Sequence, residues 1–170
     1  MSPSTGSGGS DVTVRVVGPD DWATWRDLRL RGLQDSPSAF GSTYAREAAF
    51  DEADWRDRLR PDEPTDVAVL AYRDGVPVGT GAGFGDLPGF VHVVAMWTDP
   101  AHRGRGVGAA VLAALAAWAE DHGFRLHLDV NTSNTGARAL YERSGYVPTG
   151  ETRPLREGSD ARVERMVLGG

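Results

Sequence analysis

Hydrophobic residues along this 170-residue chain follow two different spacings. Apolar residues at every second position, or in short unbroken runs, predict β-strands, whereas apolar residues three or four positions apart predict amphipathic helices. Together the two patterns predict the element order β-α-α-β-β-β-α-β-α-β-β. The predicted strands cover residues 12–16, 67–72, 76–84, 90–98, 124–130 and 161–168, and a further strand is predicted to start at residues 146–149. The predicted helices cover residues 20–34, 43–59, 107–120 and 135–144.

Turn and capping residues sharpen several of these boundaries. Asp51 is a favoured N-cap residue, so the second helical region should split near it, with Trp55 and Leu59 in the second piece. Asp74-Gly75 predicts a tight hairpin between the second and third strands. Gly123 predicts the end of the third helix, because glycine readily takes the left-handed conformation that follows a helix.

The stretch with the clearest chemical content is Asp99–Gly108, which joins the fourth predicted strand to the third predicted helix. Gly104, Gly106 and Gly108 leave its backbone uncovered by Cβ atoms, so a ligand can approach the amide N–H groups closely. The first four N–H groups of the following helix lack intrahelical partners, and that end of the helix carries a partial positive charge. The sequence therefore predicts a phosphate-binding loop.

Two kinds of phosphate ligand fit a loop of this type. Gly104-x-Gly106-x-x-Ala109 satisfies the dinucleotide fingerprint, and Asp129 lies at about the spacing of the ribose-binding acid. A dinucleotide fold, however, usually opens with its fingerprint and continues with several βαβ units, whereas only about forty residues follow Asp129. A nicotinamide-dependent reductase would need a second nucleotide-binding half, for which the chain has no room.

The other interpretation rests on two linked motifs. Arg103-x-x-Gly106-x-Gly108 resembles the Arg/Gln-x-x-Gly-x-Gly/Ala loop of the GCN5-related N-acetyltransferases, the GNAT family. The segment Asn131–Tyr146 is similar to that family's Asn-x-x-Ala-x-x-x-Tyr-x-x-x-Gly-Phe helix, and Met96–Pro100 looks like its fourth strand and closing turn. The resemblance implies the acyl-CoA N-acyltransferase fold, an α/β (α+β) fold whose central mixed, mostly antiparallel sheet is flanked by about four helices.

The same resemblance implies an acetyl-CoA-dependent N-acetyltransferase. Such an enzyme moves an acetyl group to a primary amine of a small molecule or peptide by direct attack in a ternary complex. Acetyl-CoA would be the co-substrate, with its pyrophosphate held by the loop amides and its carbonyl met by a backbone N–H near the end of the fourth strand. The residues predicted to bind it are Met96, Trp97, Thr98, Arg103, Gly104, Arg105, Gly106, Val107, Gly108, Ala109 and Asn134.

Two side chains on the last predicted helix are candidates for roles beside the coenzyme. Asn134 opens the helix and Tyr141 follows seven residues later, so both project from similar faces. The resemblance makes Asn134 a hydrogen-bonding residue and Tyr141 the catalytic acid that protonates the sulfur of coenzyme A. An ordinary N-cap for Asn134 and a core aromatic ring for Tyr141 are the structural alternatives.

His92 is the candidate base that accepts the proton of the amine. It lies on the fourth predicted strand, eleven residues before Arg103, where several GNAT members carry a glutamate base, and imidazole titrates near neutral pH. Glu47, Asp129 and a water chain are alternatives, as is a histidine without a catalytic duty. His127 shares a strand face with Asp129, but two ligands without a third are too few for a metal site, so no metal is predicted.

Composition and charge exclude several classes of function. The chain has 24 acidic and 18 basic residues and a net charge of −6, so it lacks the basic surface of a nucleic-acid-binding domain. The absence of cysteine excludes disulfides, cysteine-rich zinc sites and acyl transfer through a cysteine thiol. No stretch approaches the ~20 apolar residues of a membrane span. Residues 1–10 lack the apolar core of a signal peptide and are expected to form a disordered tail, followed by a single domain over residues 11–170 of a cytoplasmic protein.

A non-catalytic acyl-CoA sensor on the same fold is the competing function. Such a sensor would keep the Arg103–Gly108 loop but would have no use for Tyr141. The sequence leaves open the identity of the amine acceptor, whether the acyl group is only acetyl, and whether the protein is a homodimer.

Overall fold

Seven strands and five α-helices form in the part of the chain that the computed structural model describes, residues 12–60 and 62–169. The predicted N-terminal tail lies outside the described residues. The strands are β1 (Val12–Val16), β2 (Val67–Arg73), β3 (Val76–Leu87), β4 (Phe90–Thr98), β5 (Arg125–Asn131), β6 (Tyr146–Pro154) and β7 (Arg162–Leu168). The helices are α1 (Trp22–Asp35), α2 (Tyr44–Ala48), α3 (Glu52–Asp57), α4 (Val107–His122) and α5 (Thr135–Arg143).

The seven strands form one sheet in the order β1-β2-β3-β4-β5-β7-β6. Neighbouring strands are antiparallel except β4 and β5, which run parallel. The mixed, mostly antiparallel sheet predicted from the sequence is therefore confirmed.

Helices cover both faces of this sheet, and β2 shows why. Its residues Val67, Val69 and Ala71 belong to a core cluster that includes the apolar side of α4, whereas Ala68 and Leu70 belong to a second cluster with α1 and α3. A strand that is buried on both faces has an unbroken apolar run, as β2 does, instead of alternating apolar and polar positions.

The second helical region divides at Asp51, as predicted. Asp51 accepts a hydrogen bond from the N–H of Asp54 at 2.9 Å, and Asp54 accepts one from the N–H of Asp51 at 3.0 Å. This reciprocal capping box starts α3, which places Trp55 in the core. In the described ranges, none of the helices has the length and apolar character of a membrane span.

Two strands are longer than their side-chain patterns indicate. β6 continues to Pro154, five residues past the strand start predicted at 146–149, and β3 continues to Leu87, three residues past its predicted end. Every residue in these extensions is exposed when its backbone is included, so no alternation of buried and exposed positions marks them. Backbone pairing with the neighbouring strands forms the extensions, since Thr152 pairs with Glu164 and Leu87 pairs with Phe90.

A bulge and a gap at β4 open the sheet. The register between β3 and β4 shifts opposite Ala95, which has a positive φ of 58°, and the Thr80 hydroxyl donates to the Ala95 carbonyl at 2.6 Å. The pairing between β4 and β5 ends at Val93 and Leu128. Beyond that point, the edge of β4 that faces β5 has no strand partner in the described chain.

Candidate active site

The glycine loop between β4 and α4 presents a row of backbone N–H groups. Gly104 and Gly106 take left-handed conformations with φ of 74° and 82°, and the first hydrogen bond of the helix runs from Ala110 N–H to the Gly106 carbonyl at 3.0 Å. The six consecutive N–H groups from Gly104 to Ala109 find no acceptor among the described residues. A Cβ at Gly104 or Gly106 would meet no atom within 4 Å, so these amides border open space. Unpaired donors at a helix N-terminus form a suitable cradle for a pyrophosphate group.

Side chains from β4 and α1 hold this loop in place. Arg103 donates from Nε to the Thr98 carbonyl at 3.1 Å and from Nη2 to the Asp35 carboxylate at the end of α1. Asp35 also accepts from the indole N–H of Trp97 at 3.1 Å. Hydrogen bonds from Ser36, Trp97 and Arg103 lower the pKa of Asp35 and keep it ionised. The side chain of Arg103 is thus engaged in anchoring the loop.

A cavity of about 870 Å³, the loop cavity, lies between the glycine loop, the end of β4 and α5. Its size is within the range of cofactor sites. Ten of the eleven residues predicted to bind acetyl-CoA line this cavity, and Arg105 is the exception. Their role in binding the coenzyme stays a prediction. Lining residues that the sequence did not single out include Ser36, Ala39, His102, Leu140 and Arg143.

Gly108 permits close packing of α4 against α5. A Cβ at this position would lie only 2.8 Å from Cδ2 of Leu140. The first turn of α4 therefore approaches α5 closely at Gly108, and the Leu140 side chain forms part of the wall of the loop cavity.

A second cavity of about 510 Å³, the histidine cavity, lies beside the loop cavity and has His92 in its wall. The two cavities meet at a common wall, the junction, formed by residues at the gap between β4 and β5 and on α5. The shared residues are Ala39, Met96, Asn134, Ala137 and Tyr141.

The two predicted residues of α5 both lie at this junction. Asn134 is the N-cap of α5, since its Oδ1 accepts from the N–H of Ala137 at 3.0 Å. The NH₂ group of the same side chain stays available, so capping and a coenzyme contact are compatible. Tyr141 is buried, and burial raises the pKa of its hydroxyl to about 12. The phenol is therefore protonated at neutral pH.

His92 lies between two carboxylates. Its Nδ1 is 3.2 Å from Oδ2 of Asp86, and its Nε2 is 3.8 Å from Oδ2 of Asp129. The ring of Phe84 stacks on the imidazole with centroids 5.4 Å apart. Burial lowers the pKa of His92, although both carboxylates act in the opposite direction. With Nδ1–H donating to Asp86, the lone pair is on Nε2, so His92 is neutral and basic at neutral pH.

Asp86 bridges His92 and His127. Its Oδ1 lies 2.8 Å from Nε2 of His127. Burial alone would raise the pKa of Asp86, but hydrogen bonds from both histidines outweigh burial and lower it. One ligand atom from each of the three side chains lies within 4.8 Å of the others, so the potential metal ligands are Asp86, His92 and His127 and not the pair of His127 and Asp129 considered from the sequence. The hydrogen bonds explain the cluster without a metal. The Arg165 guanidinium, 3.4 Å from Nδ1 of His92, also opposes a cation there.

The candidate base Asp129 is bound by two arginines. Arg165 donates to its Oδ1 at 3.0 Å, and Arg153 donates to its Oδ2 at 3.1 Å. Burial alone would raise the pKa of Asp129, but the hydrogen bonds from Arg165 and Arg153 outweigh burial and lower it. A carboxylate with a lowered pKa in two ion pairs is a weak base.

The candidate base Glu47 is fully buried on α2 and is not among the residues that line either cavity. It accepts hydrogen bonds from Arg29 at 3.1 and 3.0 Å and from Arg58 at 3.3 Å. Both carboxylate oxygens of Glu47 are thus held in ion pairs, away from either cavity. Of the three side chains considered, His92 is the best placed to act as a base.

Four charged residues of the histidine cavity escaped the sequence patterns: Arg29 on α1, and Asp86, Arg153 and Arg165 on strands. Asp86 and Arg153 lie outside the strand segments that the pattern predicts, so no strand face could be assigned to them. Arg165 pairs with Asp129 across β5 and β7. That pairing depends on the strand order of the sheet, which no local pattern reports.

A model of the acetyltransferase (GNAT) family matches residues 24–146, more than half of the chain. The chain belongs to the GNAT family. A curated relative, aminoglycoside N(6')-acetyltransferase type 1 from Stenotrophomonas maltophilia, is 29% identical over 142 residues, which cover 82% of this chain and 89% of that protein. The family assignment makes this protein an acetyltransferase.

Solved structures confirm the predicted acyl-CoA N-acyltransferase fold. A GNAT-family acetyltransferase from Streptococcus pneumoniae superposes with a TM-score of 0.77 at 21% identity, covering 94% of this chain and 100% of that chain. The structure of yncA from Salmonella typhimurium with its cofactor acetyl-CoA superposes with a TM-score of 0.74 at 16% identity, covering 92% of both chains. At these identities the likeness concerns the fold alone.

Proposed function

We propose that this GNAT protein transfers the acetyl group of acetyl-CoA to a primary amine by direct attack in a ternary complex. The observation that carries the proposal is the junction of the two cavities at Met96, Asn134 and Tyr141. A coenzyme bound along the loop amides reaches that junction from one side. An amine in the histidine cavity reaches it from the other side, next to His92.

The loop cavity suits acetyl-CoA. The unpaired amides from Gly104 to Ala109 and the partial positive charge of the α4 N-terminus bind the pyrophosphate. The edge of β4 beyond Val93, which lacks a strand partner in the described chain, offers backbone N–H donors to the acetyl carbonyl. Donors fixed in this way stabilise the negative charge that develops on the carbonyl oxygen.

His92 takes the proton that the amine must lose. Its pKa is lowered by burial, so the imidazole is neutral at neutral pH, and with Nδ1–H donating to Asp86 its lone pair is on Nε2. Once protonated, the imidazolium lies between the carboxylates of Asp86 and Asp129, which favour its charge. Tyr141, which stays protonated, donates a hydrogen bond to the sulfur as it leaves.

Two measurements test this proposal. Calorimetry should show binding of acetyl-CoA and no comparable binding of NADH. A panel of primary amines should then be screened for the release of coenzyme A with a thiol reagent, which meets no background because the protein has no cysteine. Binding of acetyl-CoA without turnover of any amine would favour the sensor instead, and failure to bind acetyl-CoA would refute both functions.

A further inference from the structure

The carboxylates of the histidine cavity are already in ion pairs or hydrogen bonds. Asp86 and Asp129 are the only acidic residues among the described residues that line this cavity. Asp86 is bound by two histidines, and Asp129 is bound by two arginines. A cationic group on an acceptor would have to compete with these existing partners.

The arginines of the cavity, in contrast, keep donors available. Arg153 and Arg165 each use Nε and Nη2 on the Asp129 carboxylate, and their Nη1 groups have no partner in the described part of the chain. Arg29 follows the same pattern, since its Nε and Nη2 bind Glu47 while its buried Nη1 lacks a partner among the described residues.

The local charge of the cavity is opposite to that of the whole chain. Three arginines and two aspartates line the cavity, which makes its lining positive by one charge when His92 is neutral. The whole chain has a net charge of −6. Salt screens the interaction with distant charges, so the charge of the cavity lining is a better guide to the charge of the acceptor than the net charge of the chain.

We infer that the acceptor carries a carboxylate in addition to its primary amine, and that Arg153 and Arg165 bind this carboxylate. The inference rests on the proposed function, because it places the acceptor in the histidine cavity. Asp129 already holds both guanidinium groups, so little side-chain ordering is needed to bind a carboxylate. Arg165 is also 3.4 Å from His92, so a carboxylate bound there keeps the amine close to the base. Amino acids and related small amino-carboxylates have this chemistry, whereas an aminoglycoside, with several cations and no carboxylate, does not.

Binding can be tested without turnover. N-acetyl amino acids and their C-terminal amides resemble the acetylated product and differ in the carboxylate alone. Calorimetry in the presence of coenzyme A should show that the acids bind about 10- to 100-fold more tightly than the amides, the range expected for charge-assisted hydrogen bonds. Equal affinities for acids and amides would overturn the inference.

Arg153→Met tests whether Arg153 is responsible for the preference for acids over amides. The change removes one guanidinium from the cavity and leaves Asp129 paired with Arg165. The preference for acids over amides should fall by about 10-fold. Arg162→Met is the matched control, because Arg162 is an exposed arginine of β7 that donates to Thr152 and lies outside the cavity lining. A preference that survives Arg153→Met unchanged would contradict the assignment.

Turnover separates this inference from the proposed function. Free amino acids should have a higher kcat/KM than their amides, spermidine or the aminoglycoside kanamycin, after correction for the fraction of neutral amine. Faster turnover of kanamycin or spermidine would overturn the inference. If the acids bind preferentially but no amine is acetylated, the carboxylate site stands and the proposed function fails.

Discussion

Replacing Tyr141 by phenylalanine removes one hydroxyl from the junction of the two cavities and keeps the aromatic ring. The ring packs edge-on against Tyr146 with centroids 6.0 Å apart, and burial alone accounts for the raised pKa of the Tyr141 hydroxyl. The hydroxyl therefore contributes little to the fold. We expect Tyr141→Phe to change the free energy of unfolding by less than about 1 kcal/mol.

The raised pKa determines how much this hydroxyl can contribute to catalysis. The conjugate acid of a thiolate has a pKa of about 8.5. Complete proton transfer from a phenol with a pKa of about 12 would be uphill by about 3.5 pKa units, or about 5 kcal/mol. A hydrogen bond to the negative charge developing on the sulfur avoids this cost and is worth about 1.5–3 kcal/mol. Its loss should lower kcat by about 10- to 150-fold.

Steady-state release of coenzyme A is the assay. The KM for acetyl-CoA should change only a few-fold, because the hydrogen bond forms mainly in the transition state. Tyr146→Phe is the matched control, since the Tyr146 hydroxyl is buried without a partner in the described chain and Tyr146 lines neither cavity. The control should keep the parent rate. If Tyr141→Phe also kept the parent kcat under conditions in which the chemical step limits turnover, the proposed hydrogen bond from the Tyr141 hydroxyl to the sulfur would be refuted.

The base and the loop can be tested with single substitutions. Because burial lowers the pKa of His92 below 6.5, kcat/KM corrected for the fraction of neutral amine should fall only below that pH, where the imidazole gains a proton. His92→Gln should lower kcat/KM at neutral pH by about 100-fold or more and abolish the fall in kcat/KM at acidic pH. If that fall persisted in the variant, the base would be another group or water. Gly106→Val adds a side chain at a φ of 82° beside the unpaired amides and should weaken acetyl-CoA binding by at least about 10-fold in calorimetry. Gly158→Val introduces similar strain at a φ of 75° outside both cavity linings, so equal loss of affinity in the two variants would refute the cradle.

The sequence by itself determined the order of the elements and the position of the loop. Helical and strand periods are local properties, and so are the cap at Asp51 and the left-handed glycines Gly104 and Gly106. The loop is contiguous in the chain and lies between a strand and a helix that are consecutive. For that reason, most residues predicted to bind the coenzyme line one cavity.

Only the tertiary structure decided the electrostatics of the acceptor side. Asp86 comes to His127 from 41 positions away, and Arg153 comes to Asp129 from 24 positions away. Asp86 and Arg153 both lie on strand extensions that backbone pairing alone creates. The direction in which the pKa of His92 shifts depends on its burial between those strands. Strand order, register and burial are properties of the assembled sheet, so no local pattern in the chain could report which carboxylates are occupied and which arginine donors stay available.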